Sequence, residues 1–543
     1  MDKKKNKEVS GFLKGVERVG NKLPHPAMIF LILSIIVIIV SALAEAYGTP
    51  VTYFDAKKGK EVTIGAVSLL NLDGLRYILN TATKNFTGFA PLGTVLVAML
   101  GVGVAEWTGL INTSLKKLLS GVHPRLLTVV VVFAGIMSNV ASDAGYVVVI
   151  PLGAIVFANA GRHPMAGLAA AFAGVSGGFS ANLMLGTIDP LLTGITVEAL
   201  HNAGMDIAID PTCNWFFMIV STFILTVVGT FVTEKIVEKN LGTYNGSYKP
   251  DNMPISDVEN KGLKLAGISV LIMAVILIIG LFGLPKLPGL AVLREIDPKT
   301  GESSISNFMH GGLLPVILLI FLIPGLIYGK KTGKINSSHD LVKGMSQAMS
   351  SMGGYLVLSF FAAQFVNYFG KTNLGTIISV NGANFLKSIG FTGLPLIISF
   401  VIISAFLNLF MGSASAKWAI MAPIFVPMMV NLGLSPALTQ VAYRIGDSST
   451  NLITPLMSYF AMIVVFMKKY DEDSGLGTLI STMLPYSIAF LLSWIGLMII
   501  WYIFGLPLGP EHLSTSNRFS DYLKITPPCC LLNGRAGLFL KIP

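Results

Sequence analysis

The sequence predicts an all-α polytopic membrane protein, with nine transmembrane helices plus two re-entrant hairpins arranged as an inverted-repeat transporter. Three observations carry that prediction. The 543 residues are 53% hydrophobic and only 12% charged, with a mean hydropathy of +0.71; soluble domains carry roughly 25% charged residues. Apolar runs near the length of about 20 residues that crosses hydrocarbon recur along the chain. In each half, an apolar hairpin with a Ser-containing tip precedes an interrupted helix.

Residues 1–26 are basic (Lys3, Lys4, Lys5, Lys7) and then weakly amphipathic, with Phe12, Leu13, Val16 and Val19 at helical spacing. They read as a cytoplasmic N-terminal segment. No cleavable signal pattern precedes the first span, so insertion into a bacterial inner membrane is the default. Residues 27–46 cross outward. Residues 47–90 are polar, with a short amphipathic helix around Leu72–Asn85. Residues 91–110 cross back, and Lys116, Lys117 and Arg125 follow inside. Residues 126–160 begin and end beside basic residues and break at a polar Ser138–Gly145 tip. Each arm is short for a span, which favours a re-entrant hairpin over two full spans.

Residues 165–200 cross outward but are interrupted at Gly174–Leu183 and at Gly186–Pro190. Residues 214–233 cross in, 234–262 form a charged inner loop, 263–282 cross out and 313–328 cross in. Residues 340–351 read as a cytoplasmic helix leading into a span at 352–369 that carries Gln364 and Asn367. A second hairpin spans 395–430, with its tip at Gly412–Ser415. Residues 436–467 cross in, broken near Gly446–Pro455, and 476–504 cross out. The predicted organisation is thus an N-terminal segment (1–26), a first half (27–233), an inner loop (234–262), a second half (263–509) and an atypical tail (510–543). Most loop Lys and Arg fall inside, so the net charge of +10 reads as membrane topology and not as nucleic-acid binding.

The halves echo one another. Ser180-Ala-Asn182-Leu183 follows the first hairpin, and Ser449-Thr-Asn451-Leu452 follows the second, about half a chain later. The first hairpin opens inward and the second outward. Such inversion points to a secondary transporter with its site near the bilayer midplane. Broken helices expose amides and carbonyls, and their ends attract ions. Asn182, Asn451, Ser138, Asn139, Ser413 and Ser415 add neutral donors and acceptors for a carboxylate or for Na⁺; the alternative for each is a helix cap. Asp189 reads as a proton carrier or as a cap beside Pro190, and Asp447 as a second carrier. Arg444 can grip a carboxylate through two parallel bonds, or pair internally with Asp189 or with Asp447 one turn away. Trp418 offers a ring to stack on a substrate, or interface packing. Pro436 begins or kinks its helix.

At these residues the sequence resembles the AbgT family of p-aminobenzoyl-glutamate transporters. The resemblance runs from about Gly11 to Gly509. It rests on Arg18-Val-Gly-Asn-Lys-Leu-Pro-His-Pro26, Ser138-Asn-Val-Ala-Ser-Asp-Ala-Gly145, Ser180–Leu183, Asp189-Pro190, Lys417-Trp418-Ala, Pro436 and Arg444–Asn451. It implies a homodimer whose subunits have nine spans and two hairpins, with an inner scaffold and an outer transport domain. It implies ion-driven transport of p-aminobenzoyl-glutamate or export of sulfonamide antimetabolites. The family's functional Asp, Trp, Pro and Arg fall on Asp189, Trp418, Pro436 and Arg444. No cofactor is expected beyond H⁺ or Na⁺ as the coupling ion. The tail from about Ser514 matches nothing expected of the family.

Other classes fit less well. A membrane enzyme needs a nucleophile–base pair or a metal cluster, and the histidines His25, His123 and His163 all sit near span ends. The three cysteines have neither metal nor disulfide spacing. A passive channel predicts no accumulation against a gradient. A Na⁺-coupled carrier of another carboxylate shares the architecture.

Overall fold

The computed structural model describes residues 24–55, 60–120, 122–141, 145–244, 255–284, 287–296, 303–304, 308, 312–457 and 459–510. The amphipathic N-terminal segment up to residue 23 and the tail beyond 510 therefore lie outside the described residues.

The first half opens with α1 (Pro26–Tyr47), whose Pro26 sits in the first turn and whose N-terminus is capped by the His25 ring. Two short strands follow, β1 (Val51–Asp55) and β2 (Lys60–Ile64), paired antiparallel. With a second pair, Glu295–Ile296 against Ser303–Ser304, they correct the all-α expectation; both pairs lie in polar connections between helices. Next come α2 (Leu72–Thr87), α3 (Ala90–Trp107), α4 (Leu110–Leu119), α5 (Leu127–Ser138), α6 (Ile150–Asn159), α7 (Pro164–Phe172), α8 (Ile188–Asn202), α9 (Trp215–Val232) and α10 (Glu238–Leu241).

The second half contains α11 (Asp257–Phe282), α12 (Leu313–Lys331), α13 (Ser338–Ser351), α14 (Gly353–Lys371), α15 (Leu374–Ser388), α16 (Gly393–Asn408), α17 (Ala414–Asn431), α18 (Pro436–Thr450), α19 (Phe460–Lys468) and α20 (Leu476–Phe504). Among the described residues, six helices are long and apolar enough to cross a membrane, or up to eight if each bent pair is one span. The apolar segments Gly145–Asn159, Pro164–Gly177 and Gly393–Asn408 are shorter, because the chain breaks beside them.

The charged stretch expected to be a loop at 234–262 is helical at both ends, over 234–241 and 257–262, while 245–254 lie outside the described residues. The helix begun by α9 continues through a π-turn at Thr233–Val237 into α10. Arg162 pins that extension, 2.5 Å from Glu238 and 3.8 Å from Glu234. At the other end, Ser256 and Glu259 form a reciprocal capping box that starts α11 before the expected span. Helix α13 begins the same way, and the Asn336 backbone amide and the Ser337 hydroxyl hold the Asp340 carboxyl below its usual range. Helix α15 was not anticipated. Its Asn381, Asn384 and Lys387 interrupt the apolar pattern, yet Val380 and Ala383 are buried.

Both hairpins fold back on themselves. Arg162, just past α6, donates to Thr128 Oγ1 at the start of α5 (2.8 Å). In the second hairpin the Phe400 and Phe425 rings of α16 and α17 lie 4.8 Å apart. Each interrupted helix then packs against the first arm of its own hairpin through a glycine. A Cβ on Gly174 would meet Val132 O at 2.3 Å, and one on Gly446 would meet Val401 O at 2.4 Å. Only a residue without a side chain allows backbones to approach so closely. In the first half the chain leaves regular helix between Gly177 and Ile188; in the second it does so after the short turn Asn451–Ile453.

Candidate functional site

The interrupted helices meet in a buried polar cluster built on α18. Ser435 caps that helix through the Leu438 amide, and Pro436 occupies its first turn; Pro436 therefore begins the helix and does not kink it. Every residue from Pro436 to Thr450 is buried. A helix that carries Gln440, Arg444 and Asp447 at one-turn intervals and is covered on all sides must satisfy those groups internally.

Two ion pairs do so. Arg444 Nη1 lies 2.7 Å from Asp189 Oδ1, and Lys417 Nζ lies 2.6 Å from Asp447 Oδ1. The pairing of Arg444 with Asp447 that their spacing allowed is not formed. Arg444 reaches across to the first half, and Asp447 is taken by a lysine from α17. Two positive and two negative groups cancel, which is the arrangement a low-dielectric interior tolerates. Asp189 does double duty. From the first turn of the re-started helix α8, its Oδ2 accepts from the Gly186 amide at 2.7 Å, just ahead of that helix, while its Oδ1 takes Arg444.

Arg444 is incompletely satisfied. Its Nε and Nη2 are buried with no hydrogen-bond partner among the described residues. That edge of the guanidinium is one that can hold a carboxylate through two parallel bonds. Arg444 lines a cavity of about 10 Å³ with Ser180, Asn214, Phe217, Val441 and Trp494. This is roughly the room one water needs, so a carboxylate enters only if the walls part.

Trp418 is fully buried. Its ring stacks on Tyr443 with centroids 4.6 Å apart, and its Nε1 donates to Leu192 O (3.2 Å) and Thr196 Oγ1 (3.0 Å) of α8. Thr196 in turn donates to Gln440 Oε1 (2.7 Å), and Gln440 Nε2 donates to Asn214 Oδ1 (2.9 Å). Tyr443 donates to Ala414 O at 2.5 Å. Thus α8, α17 and α18 are laced together around Arg444.

The remaining predicted residues serve nearby backbone. Ser413 caps α17 through the Ala416 amide, and Ser415 Oγ sits 3.5 Å from Ser413 Oγ. Ser138 donates to Gly135 O. Asn182 donates to Ile136 O (3.3 Å) in its own hairpin and accepts from Met184 N. Asn139 also donates to Ile136 O (3.1 Å), but its buried Oδ1 has no partner among the described residues. Asn451 Oδ1 accepts from Asn408 Nδ2 at 2.8 Å, again the first arm of its own hairpin. Sequence reasoning missed Lys417, Asn408, Gln440 and Tyr443 as members of the cluster. Gln440 lies one turn before Arg444, Tyr443 lies one turn before Asp447, and Lys417 is the one ammonium in its apolar run, so the signals were present.

The family model for the AbgT putative transporter family matches residues 11–515. The chain is 39% identical over 502 residues to a p-aminobenzoyl-glutamate transport protein of Escherichia coli K12, covering 92% of this chain and 96% of that one. The structure is similar to that of the Alcanivorax borkumensis YdaH transporter, at 43% identity and a TM-score of 0.81, covering 90% of this chain and all of that one. It is similar also to Neisseria gonorrhoeae MtrF, described with a class of antimetabolite efflux pumps, at 47% identity and a TM-score of 0.83, covering 92% of this chain and all of that one.

Proposed function

Because this chain belongs to the AbgT family, whose members are multi-pass membrane transporters and not enzymes, we propose that it is an ion-coupled secondary transporter of p-aminobenzoyl-glutamate and related aryl carboxylates. The observation that carries the proposal is the open Nε–Nη2 edge of Arg444, buried where the two interrupted helices meet. One glutamate carboxylate binds that edge. The aryl ring takes the place of Tyr443 against Trp418, or adds to their stack. Sulfonamides carry the same aminophenyl ring, so their export is the same carrier running outward.

Charge explains the coupling. The cluster of Asp189, Arg444, Lys417 and Asp447 is neutral, so an entering carboxylate makes it net negative inside a low-dielectric zone. A proton on Asp189, or a Na⁺ at the polar break near Asn182, restores neutrality. Protonated Asp189 also releases Arg444 to the ligand. Ser138, Asn139, Ser413, Ser415 and Pro436 shape the breaks that let the walls part. The protein works as a homodimer of nine-span, two-hairpin subunits in the bacterial inner membrane, N-terminus cytoplasmic, with 27–233 and 263–509 as inverted halves.

Radiolabelled p-aminobenzoyl-glutamate flux in proteoliposomes tests the reading, with a pH or a Na⁺ gradient imposed in turn. One gradient should drive accumulation; equilibration under both means a passive channel. Arg444→Ala should lower affinity for the carboxylated ligand by about 10- to 100-fold, given roughly 1.5–3 kcal/mol for charged hydrogen bonds. Unchanged affinity assigns Arg444 to the internal ion pair alone.

A further inference from the structure

Lys417 stands against local rules. It lies in the first turn of α17, at the positive end of a helix dipole, and Asp447 lies in the last turn of α18, at a negative end. Each is misplaced alone and explained by the other. Lys417 is 3% exposed, a burial lysine almost never accepts unless paired. Its ammonium touches Asp447 Oδ1 at 2.6 Å and donates to Asn408 Oδ1.

Both partners of that ammonium are oxygens, Asp447 Oδ1 and Asn408 Oδ1, and the amide that supplies the second is itself held in place. Asn408 Nδ2 donates to Asp447 O (2.7 Å), Thr450 Oγ1 (3.0 Å) and Asn451 Oδ1 (2.8 Å). With Thr454 Oγ1 at 3.5 Å, four acceptors surround the nitrogen and fix the amide, so its oxygen faces the lysine. Helix α16 ends at Asn408 and α18 ends at Thr450, so two negative helix ends meet there beside a carboxylate. That is the environment in which broken helices coordinate Na⁺.

We propose that Lys417 is a tethered cation: its ammonium occupies an oxygen seat, formed by Asp447, Asn408 and the ends of α16 and α18, that would otherwise take a dehydrated monovalent cation of sodium size. The proposal deepens the transport reading and rests on it for one consequence: the second half needs no Na⁺ of its own, so coupling falls to the first half and Asp189. The first half has no such substitute among the described residues. There Asn139 Oδ1, also buried at a hairpin tip, has no donor among the described residues.

The test is thermal unfolding of the purified full-length protein in NaCl and in choline chloride at equal ionic strength. Lys417→Met should unfold several degrees earlier in choline and recover saturably with NaCl, as a ligand bound only by the folded state requires. Any Na⁺ response of the wild type should be smaller, and Lys417→Met/Asp447→Asn should lose the recovery. If Lys417→Met shows no Na⁺-specific recovery, or only the shift the wild type shows, the proposal is wrong. If Lys417→Met folds only when purified in NaCl, that supports it; failure to fold in either salt overturns it. The readout needs no transport, so the flux experiment and this one fail separately.

Discussion

The two hairpin-and-break units share a scaffold and differ in charge. In each, an interrupted helix packs a glycine on the first hairpin arm, and an Asn at the break bonds back to that arm: Asn182 to Ile136 O, and Asn451 to Asn408. The second unit holds its own ion pair, Lys417 with Asp447. The first sends its carboxylate, Asp189, across to Arg444 of the second. The shared scaffold therefore fixes where backbone breaks, and the side chains placed at the breaks decide which half is self-sufficient and which depends on its neighbour.

The largest test of that contrast is Asp447→Leu. It leaves the Lys417 ammonium buried without a counter-charge, at about 3–5 kcal/mol of stability, whereas Lys417→Met/Asp447→Leu should regain most of the loss. Denaturation of the three proteins in detergent measures it. If the double variant is no better than the single one, the pair is not a closed unit. Next, Gly446→Ala and Gly174→Ala should each cost about 1–3 kcal/mol, because their Cβ atoms collide with backbone oxygens. A large penalty in one half only would break the likeness of the two scaffolds. The smallest effect is expected for Ser413→Ala, about 1 kcal/mol for a lost cap. A far larger loss of transport than of stability would return Ser413 to the binding site.

Much of this was legible beforehand. Apolar runs gave most spans, and Gly, Pro and Asn inside them gave the breaks, since lipid-embedded backbone leaves helix only for a reason. Asp189 and Arg444 stood out as charges in apolar surroundings. Their partnership did not. Arg444 and Asp447 are one turn apart on one helix, and only the crossing of α8 and α17 over α18 shows that each takes a different partner. Lys417 went unremarked as a site residue because its counter-charge is distant in sequence. The charged run after α9 looked like a loop because its anchor, Arg162, is likewise distant in sequence. Helix α15 was obscured by its mixture of Asn and Lys with apolar residues.

The central claim is that the carboxylate the first half lends to Arg444 is the group whose protonation admits the substrate. Accumulation of labelled p-aminobenzoyl-glutamate by Asp189→Asn proteoliposomes under an imposed pH gradient tests it most directly. The account predicts that the wild type concentrates the ligand while the folded variant only equilibrates it. Proton-driven accumulation by the variant at the wild-type level would contradict it.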